Sequence, residues 1–311
     1  MMPQQQGQLV AERPGERGGG EFLNIKQVAD FLQLNEKKIY SMVSEGVIPA
    51  TKITGKWLFP KRLVERWLLE SCHGGVLADR LLVVGSGDLL LQQALSRQQR
   101  DMQDAGLVSM SVTGTRLGLA MLDRGRADLC VMHWGPAVES RVRHPALLQR
   151  YRNFRQWAMV RLFEREVGIA ARPGVEPTSA AACLGRGSRW ALRQGGSGAR
   201  RLFDEQMAIH HRSLDELEVG EAALSEWEVA VQLNEGRADY GILSRACARQ
   251  LDLPFLSLGS EALDMVVPQP IYFRVLVQQM MAQFRTQPLQ QQAAYYGGYD
   301  LGRCGEILWT P

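Results

Sequence analysis

The sequence lacks the features that mark several common classes of protein. Its five cysteines are scattered, odd in number and without a Cys-x-x-Cys pair, so they predict neither a disulfide framework nor a zinc site. The formal net charge is only +3, which is too small to indicate nucleic-acid binding over the whole surface. No apolar run is long enough for a secretory signal or a transmembrane helix. We therefore expect a cytoplasmic protein without membrane association, metal or cofactor.

What the sequence does have is a globular composition and enough length for more than one domain. Of its 311 residues, 45% are hydrophobic and 22% are charged, as in ordinary soluble domains. Residues 1–20 are rich in Gln, Gly and Arg and have no apolar core, so we expect a disordered tail there. We predict a first domain over 21–71, a linker over 72–79 and a larger domain over 80–311.

The first domain has the start and stop signals of three short helices. Asn24 and Asn35 can each cap a helix, and a third, amphipathic helix is predicted after Pro60. Two short alternating segments flank Thr54-Gly55, a pattern that predicts a tight β-hairpin. This order of helix, turn, helix and two-stranded wing is typical of a winged helix-turn-helix, which binds DNA.

Four words in this stretch carry a family resemblance: Val28-Ala29-Asp30-Phe31-Leu32, Ile39-Tyr40, Gly46-Val47-Ile48-Pro49-Ala50 and Gly55-Lys56-Trp57-Leu58-Phe59. The stretch resembles the excisionase and MerR-like DNA-binding domains, which implies double-stranded operator DNA as a partner. In that case the second helix enters the major groove, and basic residues of the wing contact phosphates. The residues expected to bind DNA are Lys37, Lys38, Tyr40, Ser41, Lys52, Lys56 and Arg62. A protein-interaction module with solvated lysines is the alternative.

Two short words occur twice in the larger domain at one fixed spacing. Gly-Ser-Gly occurs at 85–87 and 196–198, and Gly-Arg-Ala-Asp occurs at 125–128 and 236–239, so each second copy lies 111 residues after the first. A shared spacing is typical of a duplicated structural unit. Because apolar runs precede the first word and follow the second in both copies, we predict two α/β lobes.

The glycine-rich words also predict where a ligand binds. A turn of Gly and Ser between a strand and a helix exposes N–H groups at the helix N-terminus, which favours an anion. Taken alone, each turn is more typical of a plain strand-to-helix connection, but the symmetric set favours one cleft between the lobes. The candidate ligand-binding residues are Ser86, Gly87, Gly114, Thr115, Arg116, Arg193, Ser197, Gly198, Ser225 and Glu226.

A second resemblance is carried by five segments in order: Val84 to Asp88, Gly114 to Leu119, Arg193 to Arg200, Gly236 to Gly241, and the tail from Gly297 to Leu308. They resemble the periplasmic-binding-protein-like domain of the molybdate-binding branch, which in bacteria is fused to a DNA-binding head. The resemblance implies an α/β, two-lobed type II domain that is preceded along the chain by a small winged helix-turn-helix domain. Lobe one would comprise 80–165 and 265–311, and lobe two 166–264. The implied ligand is a small anion, with molybdate and tungstate as candidates held by Ser86, Thr115 and Ser197.

The word Ser225-Glu226-Trp227-Glu228 departs from an oxyanion site, because a carboxylate beside a dianion is repulsive. Glu226 or Glu228 is therefore expected to point away, to pair with Arg116, Arg193 or Arg200, or to indicate a different ligand.

We predict a ligand-responsive transcription regulator that is not an enzyme and acts as a homodimer on a palindromic operator. The alternatives are a regulator that senses a small organic anion or cofactor-related metabolite, and an enzyme built on a binding-protein fold.

Overall fold

The structure, a computed structural model, describes residues 22–70, 80–103 and 106–311. The predicted tail over 1–20 and linker over 72–79 lie outside the described residues. The chain divides into two units, Met1–Cys72 and His73–Pro311. Within the described ranges, none of the helices is long and apolar enough to cross a bilayer.

The first unit has its helices and hairpin in the predicted order. Its elements are β1 Phe22–Leu23, α1 Ile25–Leu32, α2 Glu36–Ser44, β2 Thr51–Ile53, β3 Lys56–Pro60 and α3 Lys61–Glu70. The strands form an antiparallel sheet in the order β1-β3-β2. Strand β1 is not among the predicted elements, because a two-residue strand has no sequence pattern of its own.

Short polar residues begin the helices of this unit and turn its hairpin. The Asn24 side chain accepts a hydrogen bond from the N–H of Gln27 at 2.9 Å, and Asn35 accepts one at 2.8 Å from the third residue of α2. Thr54 and Gly55 both have positive φ, at 49° and 82°, as a two-residue hairpin turn requires. The apolar faces meet in one core, formed by Leu23, Val28, Ala29, Ile39, Met42, Ile48, Phe59 and Val64.

The second unit alternates strands and helices along most of its length. Its strands are β4 Arg80–Gly85, β5 Leu107–Val112, β6 Leu129–Met132, β7 Trp157–Ala171, β8 Arg189–Ala191, β9 Glu218–Val219, β10 Tyr240–Ser244, β11 Phe255–Pro268, β12 Tyr299–Asp300 and β13 Ile307–Trp309. Its helices are α4 Leu89–Met102, α5 Thr115–Asp123, α6 Ser140–Leu148, α7 Ala180–Cys183, α8 Gly198–Ile209, α9 Glu226–Asn234, α10 Arg245–Gln250, α11 Gln269–Tyr272, α12 Val275–Gln283 and α13 Gln287–Tyr296.

One mixed sheet runs through this unit in the order β5-β4-β6-β11-β7-β10-β8-β9. The long strands β7 and β11 pair with each other antiparallel in its middle. The parallel strands β4, β5 and β6 lie on one side of this pair and form lobe one, whereas β8, β9 and β10 lie on the other side and form lobe two. The two lobes are thus joined by two extended strands, the arrangement expected of a type II binding-protein fold.

Lobe one is completed by the C-terminal residues. Helices α12 and α13 pack on α4, and β12 and β13 pair with β7. The same core contains Leu81 and Leu90 from the start of the lobe and Met280 and Leu289 from its end. Lobe two has its own apolar clusters, one of them around Trp190 and Phe203.

The repeated Gly-Arg-Ala-Asp word has the same structural role in both lobes. Gly125 follows α5 with a φ of 65° and Gly236 follows α9 with a φ of 70°, a helix-ending conformation that favours glycine. Asp128 accepts a hydrogen bond of 2.7 Å from a main-chain N–H of β4, and Asp239 accepts one of 3.3 Å from β8. The word therefore ends a helix and ties the next strand to its parallel neighbour.

Candidate ligand-binding cleft and DNA-binding surface

A small cavity lies where the two lobes of the second unit meet. The N-terminal ends of α4, α5, α8 and α9 surround it, together with the middle of β7 and β11. Its volume is about 10 Å³, which is close to the space needed by one water molecule. The lobes are in direct contact beside it, since the N–H of Arg116 in lobe one donates to the carbonyl of Gly196 in lobe two at 3.1 Å.

Six of the ten predicted ligand-binding residues line this cavity: Ser86, Gly87, Gly114, Arg193, Ser197 and Glu226. They come from both lobes. Five of them lie at the N-termini of the four helices, and Arg193 follows β8. The spacing of 111 residues thus brings equivalent turns together at one place.

The other four predicted residues do not line the cavity. Thr115 is fully buried, and its hydroxyl donates to the carbonyl of His133 at 3.0 Å and lies 3.2 Å from the Ser86 hydroxyl. Ser225 caps α9 by accepting from a main-chain N–H of that helix at 3.0 Å. Arg116 lies at an outer groove between the lobes, and Gly198 lines a neighbouring cavity. The hydroxyls of Thr115 and Ser225 are thus bonded to main-chain groups instead of facing the cavity.

Arg165, in the middle of β7, is the central charged group of the cleft and was missed by the sequence argument. It is 4% exposed. Its Nη1 atom lies 2.8 Å from Asp88 of lobe one and 3.1 Å from Glu226 of lobe two. Its Nη2 atom lies 2.7 Å from Glu261 of β11. A single guanidinium therefore bridges both lobes and both connecting strands.

Glu226 points into the cleft, and its hydrogen-bond donors are not the arginines that were expected. Its carboxylate accepts hydrogen bonds from Arg165 and from the main-chain N–H of Ser244 at the end of β10. Of the expected arginines, Arg193 lines the same cavity, and its charge helps to lower the pKa of Glu226, whereas Arg200 donates to Asp204 at 2.9 Å and Arg116 lies at an outer groove. Glu228 points away from the cavity, where its carboxylate accepts from the N–H of Leu224 at 2.7 Å.

The three carboxylates around Arg165 differ in their tendency to ionise. Burial raises the pKa of Glu226, but the Arg165 charge and the Ser244 N–H outweigh it and hold this pKa below its usual value. For Asp88 and Glu261, burial prevails over the Arg165 charge, and the pKa of each carboxyl is raised. Burial also acts to lower the pKa of Arg165, yet the surrounding carboxylates raise it well above its usual value. Of the three carboxylates around Arg165, Glu226 is therefore the one that ionises most readily.

The other hydroxyl and charged groups of the cleft are held by local bonds. Ser197 donates to the carbonyl of Gln194 at 2.9 Å and caps α8 by accepting from the N–H of Arg200 at 3.1 Å. Arg193 donates to the carbonyl oxygens of Ala223 and Leu224 at 3.3 and 3.0 Å. These bonds fix Ser197 and Arg193 in the cavity wall.

The rim of the cleft has a second set of contacts between the lobes. Arg143 of α6, in lobe one, donates a hydrogen bond to Glu205 of α8, in lobe two. Nearby, the guanidinium of Arg201 lies 4.8 Å from the ring centre of Trp134, a favourable cation–π distance. These contacts hold α8 against lobe one.

Metal binding has no candidate in the part of the chain that the structure describes, since no cluster of three His, Cys, Asp or Glu side chains has the required geometry there. The cysteines Cys130, Cys183 and Cys247 are buried and unpaired. Burial raises the pKa of each thiol.

On the first unit, the predicted DNA-binding residues lie on α2, on the hairpin and at the start of α3. Six of them are exposed: Lys37, Lys38, Tyr40, Lys52, Lys56 and Arg62. The seventh, Ser41, is half-buried, and its hydroxyl donates to Glu45 at 2.5 Å. The ammonium group of Lys52 lies 5.4 Å from the ring centre of Trp57, which supports the lysine on the wing.

Comparison with known proteins matches each unit to a described domain. The model of a helix-turn-helix domain matches residues 22–71, and the model of the PBP superfamily domain matches residues 95–285. The uncharacterized protein YvgK of Bacillus subtilis strain 168 is 21% identical over 303 residues, which cover 91% of this chain and 96% of YvgK.

Solved structures with a similar fold include two transport proteins. The tungstate ABC transporter of Geobacter sulfurreducens is 13% identical with a TM-score of 0.50 and aligns with 70% of this chain and 98% of its own. A substrate-binding protein from Clostridium perfringens with bound phosphate is 9% identical with a TM-score of 0.51 and aligns with 71% of this chain and 99% of its own. At these identities the similarity is one of fold.

Proposed function

The chain belongs to the PBP superfamily and carries a helix-turn-helix domain, and from this premise we propose that it is a one-component transcription regulator that binds operator DNA and a small anion. The presence of both units in one chain carries the proposal. The exposed basic residues of α2 and the hairpin are suited to phosphates and base edges. We further propose that the protein acts as a homodimer, since a two-fold protein matches a palindromic operator.

The proposed ligand site is the cleft between the lobes. Arg165 and Arg193 provide positive charge, and the first-turn N–H groups of the surrounding helices provide donors. Because the cavity measures about 10 Å³, a ligand enters only when the lobes move apart. Strands β7 and β11 are the connections through which such a movement passes, and closure on the ligand is the signal that we propose for the DNA-binding unit.

The two carboxylates in the cavity wall, Glu226 and Glu261, limit which anion fits. Glu226 keeps its negative charge, so a fully ionised dianion such as molybdate or tungstate meets repulsion unless Arg165 and Arg193 outweigh it. A small organic anion is better suited, because a second cavity of about 60 Å³ shares Glu261 with the first and is lined by apolar groups such as Pro136, Leu202 and Leu258. Tungstate and phosphate, which proteins of similar fold are reported to bind, are natural probes.

The test is calorimetry of the full chain with molybdate, tungstate, phosphate and small carboxylates. We expect Glu226→Gln to bind molybdate and tungstate about tenfold more tightly than the parent, a change of about 1.4 kcal/mol. Glu228→Gln is the matched control, because it removes a charge from the same helix outside the cavity. Tight molybdate binding by the parent that Glu226→Gln leaves unchanged would show that the carboxylate does not limit the ligand.

The regulator itself is tested on DNA. A selection from random duplexes yields the operator, and the anion that binds in calorimetry is then expected to change operator affinity at constant salt. An anion that binds the second unit without any effect on DNA binding would contradict the coupling that we propose.

A further inference from the structure

A second cavity, which we call the side cavity, adjoins the cavity of the cleft and has a volume of about 60 Å³. The two cavities share Val167 of β7 and Glu261 of β11 as wall residues. The rest of the side cavity is lined from both lobes and from β11, by Gly135, Pro136, Gly198, Leu202, Leu258, Gly259 and Ser260. The side cavity is therefore a space between the lobes that continues from the cleft.

The walls of the side cavity are mostly apolar. Val167 is buried, and Pro136, Leu202 and Leu258 are half-buried. Glu261 is the one charged residue among the lining residues, and burial outweighs the Arg165 charge and raises its pKa, which favours the neutral carboxyl. A second anionic group has no cation to meet in this cavity, whereas a hydrocarbon group gains from leaving water.

The volume of the side cavity limits the length of such a hydrocarbon group. A cavity needs about 10–15 Å³ to hold one water molecule, and the side cavity measures about 60 Å³. It therefore has room for about four groups of that size, and a methylene group is similar in size to a water molecule. A chain of a few carbons fits, whereas a benzene ring is known to occupy a cavity of about 150 Å³.

His133 and Gly198 lie where the two cavities meet. His133 lines the cleft cavity and is 4% exposed, and among the described residues neither of its ring nitrogens has a hydrogen-bond partner. Its ring lies against Gly198, where a Cβ atom would stand 1.9 Å from the His133 Cδ2 atom. Burial lowers the pKa of His133 well below its usual value, so the ring is neutral and has one N–H donor. That donor and the nearby Arg193 suit one carboxylate group at the entrance to the side cavity.

We propose that the ligand is a short aliphatic monocarboxylate of roughly three to five carbons, with its carboxylate in the cleft cavity and its chain in the side cavity. This inference rests on the proposed function of the cleft as a small-anion site. A single negative charge is repelled by Glu226 less than a dianion is. Each methylene that enters the side cavity should raise the affinity about fourfold. Because both lobes line the side cavity, the chain also sets how far the lobes can close.

The experiment is calorimetry of the full chain with a series of carboxylates: acetate, propionate, butyrate, pentanoate, hexanoate and octanoate. We expect the affinity to rise about fourfold for each methylene from acetate to butyrate and to gain nothing further between hexanoate and octanoate. Equal affinities for acetate and butyrate would overturn the proposal. A rise that continues to octanoate would also overturn it, because a cavity of this size cannot account for such a gain.

Two substitutions of one wall residue should move the preferred length in opposite directions. Leu202→Phe fills part of the side cavity and should remove the gain from acetate to butyrate. Leu202→Ala enlarges the cavity and should move the preferred length to a longer chain. Leu214→Phe is the matched control, because Leu214 is an exposed leucine of lobe two that lines neither cavity. A preferred length that neither Leu202 variant changes would overturn the proposal.

A direct readout uses the parent protein with ¹³C-labelled leucine methyl groups, and it applies even if a Leu202 variant fails to fold. Butyrate is expected to shift the methyl resonances of Leu202 and Leu258 more than acetate does, and to leave those of Leu214 unchanged. Butyrate that binds without shifting Leu202 or Leu258 would overturn the proposal. Molybdate or phosphate that binds while the carboxylates show no dependence on length would overturn it and leave the small-anion site standing. Failure of every small anion to bind would overturn both.

Discussion

Arg165 is the residue whose loss we expect to disturb the second unit most. Replacement by Met leaves Asp88, Glu226 and Glu261 close together without their shared cation. Removing one partner of a buried charge cluster typically costs about 3–5 kcal/mol, and we expect Arg165→Met to lower the free energy of unfolding by that amount in urea at neutral pH. Arg141→Met, which breaks the exposed pair with Glu306, is the control and should change it by less than about 1 kcal/mol.

The same variant should respond to pH in a defined direction. Without Arg165, burial and mutual repulsion raise the pKa of each of the three carboxyls, so the folded state binds more protons than the unfolded state. Its stability then increases as pH falls from neutrality, and the gap to the parent narrows. In the parent, the raised pKa values of Asp88 and Glu261 act in the same direction, whereas the lowered pKa of Glu226 gives stability that is present at neutral pH and lost as pH falls through that pKa. A gap that widens on mild acidification would contradict this account of the cluster.

Among single residues, the sequence identified those whose partners are close along the chain and did not identify those whose partners are far away along it. Asn24 and Asn35 were identified as helix caps because their partners are three residues away. Arg165 lies in a long, mostly buried strand with no motif around it, and its partners are 61 to 96 residues away along the chain. Its position among buried residues of one strand is a usable signal, since a charge there needs partners.

At the scale of elements, α2 makes a direct prediction. Lys37 and Lys38 are exposed on this helix, and we expect the double Ala variant to lose operator affinity by at least about tenfold and to flatten the salt dependence by up to about two units. The assay is a gel shift over a range of salt concentrations. Lys26→Ala, an exposed lysine of α1, is the control for net charge. Unchanged operator affinity in the double variant would exclude α2 as the recognition helix.

The Gly-Arg-Ala-Asp word of lobe two leads to a prediction about how the stability of that lobe depends on pH. Hydrogen bonds from Arg189, helped by Arg172, lower the pKa of Asp239 to about 2. The pair therefore adds stability that is fully present above pH 3.8 and is lost as pH falls through about 2. We expect Asp239→Asn to cost on the order of 1–2 kcal/mol at neutral pH and to differ little from the parent in strong acid.

Two control variants distinguish the loss of this bond between neighbouring strands from the general effect of removing a negative charge. Asp204→Asn removes an exposed aspartate of α8 whose arginine partner is one turn away, and it should change stability little. Asp128→Asn removes the equivalent tie in lobe one and should cost a similar amount near neutral pH. A cost for Asp239→Asn that is the same at every pH would rule out ionisation as its source.

For the whole molecule, the rim contacts predict how closure is controlled. The N–H of Arg116 is the second N–H of α5 and donates across the cleft to Gly196, so its hydrogen exchange reports separation of the lobes. We expect Glu205→Gln, which weakens the bond to Arg143, to accelerate exchange of this amide severalfold. The N–H of Gly118, bonded within the α5 helix at 3.0 Å, should be unaffected. Equal acceleration of both amides would indicate fraying of the helix instead.

The predicted architecture, a two-lobed domain that follows a winged helix-turn-helix domain along the chain, is confirmed. It could be predicted because the order of the elements and the spacing of the repeats can be read directly from the sequence. The repeated words predicted that equivalent turns would meet, and six of the named residues do line one cavity. The hydrogen-bond partner of each side chain around the cavity could not be predicted. Thr115 and Ser225 have the hydroxyls that suit a ligand, yet those groups bond to nearby main chain, and spacing does not reveal which partner a side chain will choose.

The way that lobe one is divided along the chain has a consequence for synthesis. Strands β4 to β6 leave the ribosome before any part of lobe two, whereas α12, α13, β12 and β13, which complete lobe one, leave it after lobe two. Lobe two can therefore close its own core while lobe one still exposes apolar surface, and lobe one becomes complete only after these later elements have emerged. A nascent chain arrested after Pro268 would present one finished lobe and one lobe whose core residues, among them Leu81 and Leu90, still lack the partners that follow.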